Sequence, residues 1–522
     1  MKRFSLIAII ILAANMAASA QGVADALRYS EQFYVGSART MAMGNAFTAL
    51  GGDLGAMSIN PASTAVYNCC EFAITGGFST DKNAASFETT EDTYTQNAKR
   101  RLFNIPNISM VMSLPTGRDA GLVNYTLGFG FNKIASFNNR VSYSGYDSGS
   151  SLLGNIADNL ETVNESFLKD KDAFELGYCT PQEILAYDTF LVNPYNGSPD
   201  EEADSYIGAT ENQWGDHLGV NSILDKSYDR IRRGGIYDMA FNFGLNFNDR
   251  LYLGINANIN MVDFEDDWAY YEDGGVAGNY FDSGFKSMSY NYLQQTSGVG
   301  ANVQVGAIWV PFKFLRLGAT YTTPTIYDLT DTWRETMVSS FDGTTTCRSA
   351  ESQSPVFSYE YRVHAPSRYS LGAALVFGHS GLISFDYETV DYSATKMSDY
   401  NHNYNTFKEA NKELSTCYGR SNIFRMGAEL NIFNDFAIRG GYTSYLYEHP
   451  LYRYVSFGIG KRISETSSID LTYRARLTDT YSMLPYDDYA FNEAVGEYSC
   501  LAPMATISNT ASDLMLTYRV KF

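Results

Sequence analysis

Five arginines in the last third of the sequence are the residues best suited to bind an anion. They are Arg425, Arg439, Arg474, Arg476 and Arg519. Each alternates with apolar neighbours, so each is expected on the polar face of a β-strand. A guanidinium offers a planar pair of donors that matches a carboxylate. Because a buried guanidinium is costly unless it is paired, Asp470, Glu429 and Asp53 are the alternative, structural partners.

The sequence contains no motif that indicates catalysis or metal binding. No Gly-x-Ser-x-Gly elbow occurs, and Gly378 to Gly381 is interpreted as a turn. The six cysteines, with Cys69 next to Cys70, show neither a CxxC pair nor zinc spacing, and no disulfide is assigned. The five histidines form no spaced pair; they are His217, His364, His379, His402 and His449. We therefore predict no catalytic residue, no metal site and no cofactor.

The net charge of the chain restricts the kind of partner that it can bind. The formal net charge is -20, which disfavours nucleic acid. Much of the acid falls in expected loops such as `DFEDDWAYYEDGG`, Asp263 to Gly275, which does not fit an EF-hand and is interpreted as solvated.

The elements that must position the arginines are long alternating strands. Tyr237 to Phe247 and Leu251 to Met261 carry apolar residues at every second position, with asparagine prominent between them. A turn at Asn248-Asp249-Arg250 joins the two runs into a hairpin. A membrane barrel turns its apolar face to lipid and its polar face to the lumen, and we favour it over a soluble sandwich.

Similar runs predict about fourteen antiparallel strands, and an even number is usual for bacterial barrels. They are expected near 71–79, 103–114, 122–143, 235–248, 250–264, 285–310, 314–335, 354–378, 380–396, 416–433, 435–446, 450–462, 466–480 and 511–522. Short and long connections mostly alternate, as periplasmic turns and extracellular loops do. The insertion at about 144–234 has helical spacing within Ser151 to Leu168 and a capping pattern at Thr180. It is expected to form a partly helical extracellular cap, or a loop that packs only on itself.

The two ends of the chain indicate export. Met1 to Ala20 has the charged start, apolar run and small-x-small ending of a signal peptide. Leu514 to Phe522 alternates perfectly and ends in phenylalanine, which resembles the strand by which barrel-assembly machinery recognises its substrates. Between them, Gly36 to Ser63 is rich in small residues and breaks at Asn60-Pro61-Ala62.

These features together resemble the FadL/TodX family of outer-membrane transport proteins. The similarity lies in Gly36 to Arg39, Met43 to Ala49 and Asn60-Pro61-Ala62, and in the strand segments Leu315 to Pro324, Ala365 to Gly378 and Phe436 to Tyr442. With the signal peptide at 1–20, the resemblance implies an N-terminal hatch at 21–70 that plugs the lumen and a β-barrel at 71–522. It also implies that Asn60-Pro61-Ala62 is the turn from the hatch into the first strand. A further implication is residence in the Gram-negative outer membrane, with membrane lipid around the barrel.

The same resemblance implies a route for a hydrophobic solute, typically a long-chain fatty acid. Arg474, Arg476 and Arg519 are candidates for its carboxylate. Three hatch residues, Met41, Met43 and Phe47, are candidates for its apolar tail. Gly128 and Gly130, in the third strand, are candidates for a kink that opens the wall sideways, although they could equally make room for the hatch.

Three alternative functions remain open from the sequence. Some FadL-like barrels serve as shuttles in type IX secretion and hold protein cargo instead of passing a solute. A haem receptor is less favoured because the histidines lack a motif, and a barrel enzyme is the least favoured.

Overall fold

The alternating runs build one large antiparallel sheet. A computed structural model describes residues 22–195, 203–343, 345–432, 435–446, 452–492 and 496–522, so the expected signal peptide lies outside the described residues. The strands are β1 (Glu71–Glu88), β2 (Thr93–Pro115), β3 (Leu122–Ser136), β4 (Asn139–Asp147), β5 (Val192–Pro194), β6 (Tyr206–Gly208), β7 (Leu224–Phe247), β8 (Leu251–Asp273), β9 (Phe285–Phe312), β10 (Leu315–Thr322), β11 (Thr325–Phe341), β12 (Ala350–Gln353), β13 (Phe357–Ala365), β14 (Arg368–Val376), β15 (Gly381–Asp391), β16 (Lys396–Asp399), β17 (Arg420–Ile432), β18 (Phe436–Leu446), β19 (Arg453–Arg462), β20 (Ser467–Met483), β21 (Tyr489–Asn492), β22 (Glu497–Cys500) and β23 (Met504–Lys521).

The sheet closes into a barrel because β23 pairs antiparallel with β1, from Lys521 opposite Glu71 to Met504 opposite Glu88. Neighbouring strands cross the wall fourteen times, which confirms the predicted architecture. Four crossings consist of two consecutive strands each: β3 with β4, β10 with β11, β13 with β14, and β15 with β16. This seam pairs the first and last strands, so neither presents a free edge that a bilayer cannot solvate.

The outer surface is apolar around the barrel. Exposed side chains include Phe241, Ile255, Val303, Leu371 and Phe457, each on the face that alternates with buried polar residues. An apolar belt on a closed barrel is the surface of an outer-membrane β-barrel. Among the described residues, no helix is both long and apolar enough to cross a membrane.

The strands continue past the expected boundaries on the side of the long loops. Residues 80–102, expected as a loop, instead complete the β1–β2 hairpin, in which Glu88 lies opposite Thr93. The alternation of apolar and polar residues had predicted only the part of each strand that lies within the apolar belt of the barrel. Polar strand ends continue because their backbone groups gain ladder hydrogen bonds.

The chain before β1 lies inside the barrel, and we call residues 22–70 the hatch. It contains helices α1 (Val23–Ser30) and α2 (Ala38–Ala42), and 3₁₀ helices at Leu54–Ala56 and Pro61–Val66. Most of its side chains from Ser37 to Ala65 are buried against the barrel interior.

The long insertion forms the expected helical cap outside the barrel. Its helices are α3 (Leu152–Asn159), α4 (Ser166–Lys169), α5 (Ala173–Leu176) and α6 (Pro181–Asp188). Thr180 and Glu183 form the capping box that the sequence indicated. Leu152, Ile156 and Leu160 are buried in a core shared with the outer ends of the strands, so the cap packs on the barrel with an apolar underside. A further helix, α7 (Lys408–Cys417), lies in the connection after β16.

Candidate functional site

The Asn60-Pro61-Ala62 segment anchors the hatch to itself and to the wall. The Asn60 side chain accepts from the backbone N–H of Ala62 at 2.9 Å and donates to the carbonyl of Thr48 at 2.6 Å. Pro61 begins a 3₁₀ helix, where its missing N–H costs nothing. The motif therefore caps a buried helix inside the hatch and is not the direct turn into the first strand, which begins at Glu71.

Wall glycines let this segment approach the strands. A Cβ at Gly254 would lie 2.3 Å from the carbonyl carbon of Pro61, and one at Gly306 would lie 2.0 Å from Oδ1 of Asn60. Such distances are far below van der Waals contact, so both positions require glycine. Sequence reasoning missed these glycines, although their place on the polar face of β8 and β9 was a usable signal.

Asparagines on the inner wall hold the hatch backbone. Asn242 donates to the carbonyl of Pro61 at 2.9 Å, and Asn256 donates to the carbonyl of Met57 at 3.0 Å. The polar face that the sequence assigned to a lumen is thus largely occupied by hydrogen bonds to the hatch.

An ion-pair ladder fastens the periplasmic side of the hatch to the wall. Arg39 of the hatch reaches Glu429, with Nε 2.9 Å from Oε2. Glu429 also binds Arg439 at 2.6 Å, and Arg439 binds Asp470 at 2.5 Å. Arg519 closes the series at 2.6 Å from Asp470. In this ladder each carboxylate serves two guanidiniums, which offsets much of the cost of burying them.

A cavity of about 470 Å³ lies on the other side of the hatch, in the extracellular half of the lumen. Helix α1 and the strand ends line it with apolar and aromatic groups, among them Leu27, Phe33, Phe264, Tyr452 and Tyr454. Its cationic lining residues are Arg28, Arg100, Lys133, Arg232, Arg474 and Arg476, whereas its acids are Glu31, Asp81 and Asp513. The lining therefore favours an amphipathic, anionic occupant over a cationic one.

Two of the predicted carboxylate-binding arginines line this cavity, and one of them is fully paired. Arg474 places Nε at 3.0 Å and Nη2 at 2.7 Å from Oδ2 of Asp513, and donates to the carbonyl of Tyr34 at 3.1 Å. Arg476 lies over the ring of Tyr452 and 3.8 Å from Asp81, beyond hydrogen-bond distance, and its buried Nε has no hydrogen-bond partner among the described residues. The third, Arg519, belongs to the periplasmic ladder, so the structure does not bring the three together.

The wall beside the cavity has a break. Strand β3 ends at Ser136 and β4 begins at Asn139, so Phe137 and Asn138 interrupt the third crossing. Strand β2 pairs with β3 only between Asn107–Asn132 and Pro115–Asn124. Above that level β2 continues to Thr93 with pairing to β1 alone among the described strands. Cavity residues occur on both sides of this gap, including Leu102 on β2 and Phe137, so the cavity extends to the gap.

Two cations without an ion pair among the described residues flank the gap. Arg100 on β2 has a buried Nε that lacks a hydrogen-bond partner. Lys133 on β3 is only 3% exposed, with its ammonium 5.5 Å from the ring of Tyr237. Neither residue was a sequence candidate, because a lone cation in a strand gives no signal until the gap is known.

The remaining sequence candidates are placed elsewhere. Met41, Met43 and Phe47 are fully buried in contacts between hatch and wall and do not line the cavity. Gly128 and Gly130 lie in regularly paired strand, where a Cβ would meet the side chain of Met57. They make room for the hatch, and the wall break lies seven residues or more beyond them at Phe137.

The histidines do not form a common site. His217 lies in the cap and His379 in a short turn, whereas His364 and His402 are on the outer face of the barrel. His449 lies outside the described residues. No group of three or more His, Cys, Asp or Glu side chains within the described ranges could hold a metal ion.

Comparisons with known proteins support the architecture. No protein-family model matches the chain, and no curated protein matches it. Among solved structures, the "TodX monoaromatic hydrocarbon channel deltaS2 mutant" aligns with a TM-score of 0.52 at 13% identity, covering 93% of this chain and 98% of that one. A Pseudomonas aeruginosa FadL homologue aligns with a TM-score of 0.50 at 10% identity, covering 94% of this chain and 100% of that one. This protein therefore has the fold of the FadL- and TodX-type outer-membrane barrels, as the sequence resemblance predicted.

Proposed function

We propose that this barrel transports hydrophobic or amphipathic small molecules across the outer membrane by passive diffusion, with long-chain fatty acids as the first substrate class to test. The observation that carries the proposal is the cavity above the hatch that reaches a break in the wall. An apolar solute captured there would leave sideways into the bilayer instead of crossing the hatch. The fold neighbours include a monoaromatic hydrocarbon channel and a FadL homologue, which supports this class of solute.

The proposal includes the targeting and assembly of the chain. Residues 1–20 act as the signal peptide, residues 21–70 plug the lumen, and the C-terminal strand is the one that the barrel-assembly machinery recognises. Val520 pairs with Phe72, and the backbone N–H of Phe522 donates to the carbonyl of Cys70, so this end of the chain lies beside the start of β1.

The headgroup contacts differ from those first expected. Arg474 is held by Asp513, whereas Arg476 lies 3.8 Å from Asp81 and keeps a buried Nε without a hydrogen-bond partner among the described residues. Arg100 and Lys133 form no ion pair among the described residues, and they flank the exit. We assign the carboxylate of an entering fatty acid to these two cations, with its chain along the aromatic lining.

Closing the gap tests the route. Leu102→Cys and Asn138→Cys, in a variant whose six native cysteines are serine, place one thiol on each side of the wall break. A bismaleimide bridge should abolish uptake of a labelled fatty acid by a Gram-negative host that lacks its own uptake protein. Each single-cysteine variant treated with the same reagent is the matched control.

Uptake that persists through a verified bridge would overturn the lateral route. A shuttle for secreted proteins predicts a different result, namely stoichiometric protein cargo on the purified barrel with no bound lipid and no uptake to block.

A further inference from the structure

The lipid-facing wall formed by β14, β15, β17 and β18 is not smooth. An apolar groove of about 490 Å³ lies between the outward side chains of Leu371, Ala373, Phe385 and Phe424. A second groove of about 590 Å³ begins one row lower, at Ile383 and Ala428. We call the two together the lipid-facing furrow.

Small outward residues create the furrow between large ones. Ala373, Ala428 and Gly440 leave room where Leu371, Phe385 and Phe457 project, and a Cβ at Gly440 would meet nothing within 4 Å. From Phe424 to Leu430 the furrow spans six residue steps, or roughly 20 Å of strand. One leaflet of the hydrocarbon core is about 15 Å thick, so an acyl chain of the outer leaflet reaches the upper groove, whereas the lower groove extends to the short turn at Ser380.

Two cationic residues lie at the extracellular ends of strands in this part of the wall. Arg420 is the first residue of β17, four residues or roughly 13 Å above Phe424. Lys396 begins β16 opposite His364 of β13, and both Lys396 and Arg420 are exposed. The aromatic pair Tyr321 and Tyr369 lies below them, at the level where interfacial rings collect.

Two acids on neighbouring strands form no ion pair with Lys396 or Arg420. Asp391 lies opposite Arg420 in register and keeps its charge, while its Oδ1 accepts from the backbone N–H and hydroxyl of Ser393. Asp328 is held by Arg362 at 2.5 Å. Within the described residues Lys396 and Arg420 form no ion pair, so the furrow has cationic groups where lipid headgroups lie.

The wall on the other side of the barrel has the opposite character. Ile255, Ile259 and Val303 fill the lipid-facing surface of β8 and β9. Above them β8 carries acids on the same face, Asp263 and Asp267 among them, both exposed. An anionic lipid would be repelled there and attracted to the furrow.

From this combination we propose that the upper groove of the furrow, together with the cations above it, is a binding site for one molecule of a phosphorylated glycolipid of the outer leaflet, of the lipid A type. The phosphates of the lipid lie against Lys396 and Arg420, with His364 and Arg362 beside them, and the end of one acyl chain lies in the upper groove. Phosphate is the group that Lys and Arg bind with charge-assisted hydrogen bonds. The site lies outside the lumen and does not depend on the transport proposal.

Native mass spectrometry of the purified full-length barrel tests the site, with lipid A or phosphatidylglycerol added in mild detergent. We expect one retained lipid A, held at least about tenfold more weakly after Lys396→Gln with Arg420→Gln, and similarly after Ala373→Trp, which fills the groove. The matched controls are Lys313→Gln, on a short periplasmic turn, and Ala257→Trp, on the smooth wall. Both controls should retain lipid A as the unaltered protein does.

Three outcomes would overturn the proposal. One is equal retention of lipid A by the double charge variant. Another is equal retention of phosphatidylglycerol by the unaltered protein, which would mean general anion binding. The third is a dimer mass that Ala373→Trp abolishes, because the furrow would then be an interface between two copies. Heat-modifiable migration of every variant confirms that the barrel has folded before the spectra are compared.

Discussion

The two sides of the hatch use arginine in opposite ways. On the periplasmic side, Arg39, Arg439 and Arg519 alternate with Glu429 and Asp470 in one connected ladder. On the extracellular side, the cavity lining has more cations than acids, and the two cations nearest the wall break form no ion pair within the described residues. The difference suggests that the paired arginines hold the plug in place, whereas the unpaired cations are available to a solute.

The free energy of burying a charge accounts for the paired arginines on one side of the hatch and the unpaired cations on the other. Breaking a buried pair by removing one partner leaves an uncompensated charge and costs about 3–5 kcal/mol. The ladder is therefore hard to open one link at a time. Lys133 and Arg100, by contrast, line the cavity and form no ion pair among the described residues, so a bound anion would supply the missing partner.

Removing the shared acid of the ladder should have the largest effect. Glu429→Gln leaves Arg39 and Arg439 without their common partner, and we expect the hatch to lose about 3–5 kcal/mol of stability against release. In planar bilayers this should appear as frequent large-conductance openings. Glu465→Gln, on an exposed periplasmic turn, is the control and should stay closed. Equal conductance of the two variants would mean that the asparagine and glycine contacts hold the hatch without the ladder.

Removing the unpaired cations should affect ligand binding and leave the plug intact. Lys133→Gln and Arg100→Gln should each weaken binding of a fluorescent fatty acid about tenfold, since a charge-assisted hydrogen bond contributes about 1.5–3 kcal/mol. Lys99→Gln removes a neighbouring charge that is exposed on the other face of β2 and should bind normally. If Arg474→Gln weakens fatty-acid binding and neither Lys133→Gln nor Arg100→Gln does, the carboxylate headgroup lies at Arg474, as the sequence predicted.

The sequence predicted one side of this comparison better than the other. Alternation fixes which face of a strand a side chain occupies, so the lumenal position of Arg439 and Arg519 and the acids Glu429 and Asp470 followed from local pattern. The resemblance placed an opening in the third strand at Gly128 and Gly130, whereas the break lies farther along the same crossing at Phe137. Its position depends on which length of β2 finds a partner, and local pattern does not give that.

The hatch shows the same limit at the level of single residues. Its boundary with β1 and its Asn60-Pro61-Ala62 motif were readable from small-residue content and a proline. The burial of Met41, Met43 and Phe47 against the wall was not, because an apolar hatch residue can pack on the wall or face a cavity. Only the glycines opposite the hatch could have indicated how closely the two surfaces meet.

The smallest expected effect is a dependence of the stability of the cap on pH. Burial raises the pKa of Glu211 to about 7, although the backbone N–H of Gly208 donates to its carboxylate. By contrast Asp147, at the outer end of β4, has a lowered pKa because Lys226, 2.6 Å away, outweighs the effect of burial. A carboxyl group whose pKa is raised by folding stabilises the folded state at pH values below its unfolded pKa, which is about 4.5. That stabilisation is lost as the pH rises through the folded pKa of about 7.

We therefore expect the cap to lose up to about 3 kcal/mol of local stability between pH 4.5 and pH 7 from this group, at about 1.4 kcal/mol per pKa unit. Hydrogen exchange of the segment 206–224, normalised for intrinsic rates, measures it. Glu211→Gln should flatten the profile, whereas Glu161→Gln, exposed on the same cap, should leave the slope unchanged. An identical slope in the Glu211 variant would assign the pH dependence to another group. The ladder variants should show this same slope, because no contact among the described residues connects Glu211 to the periplasmic side of the hatch.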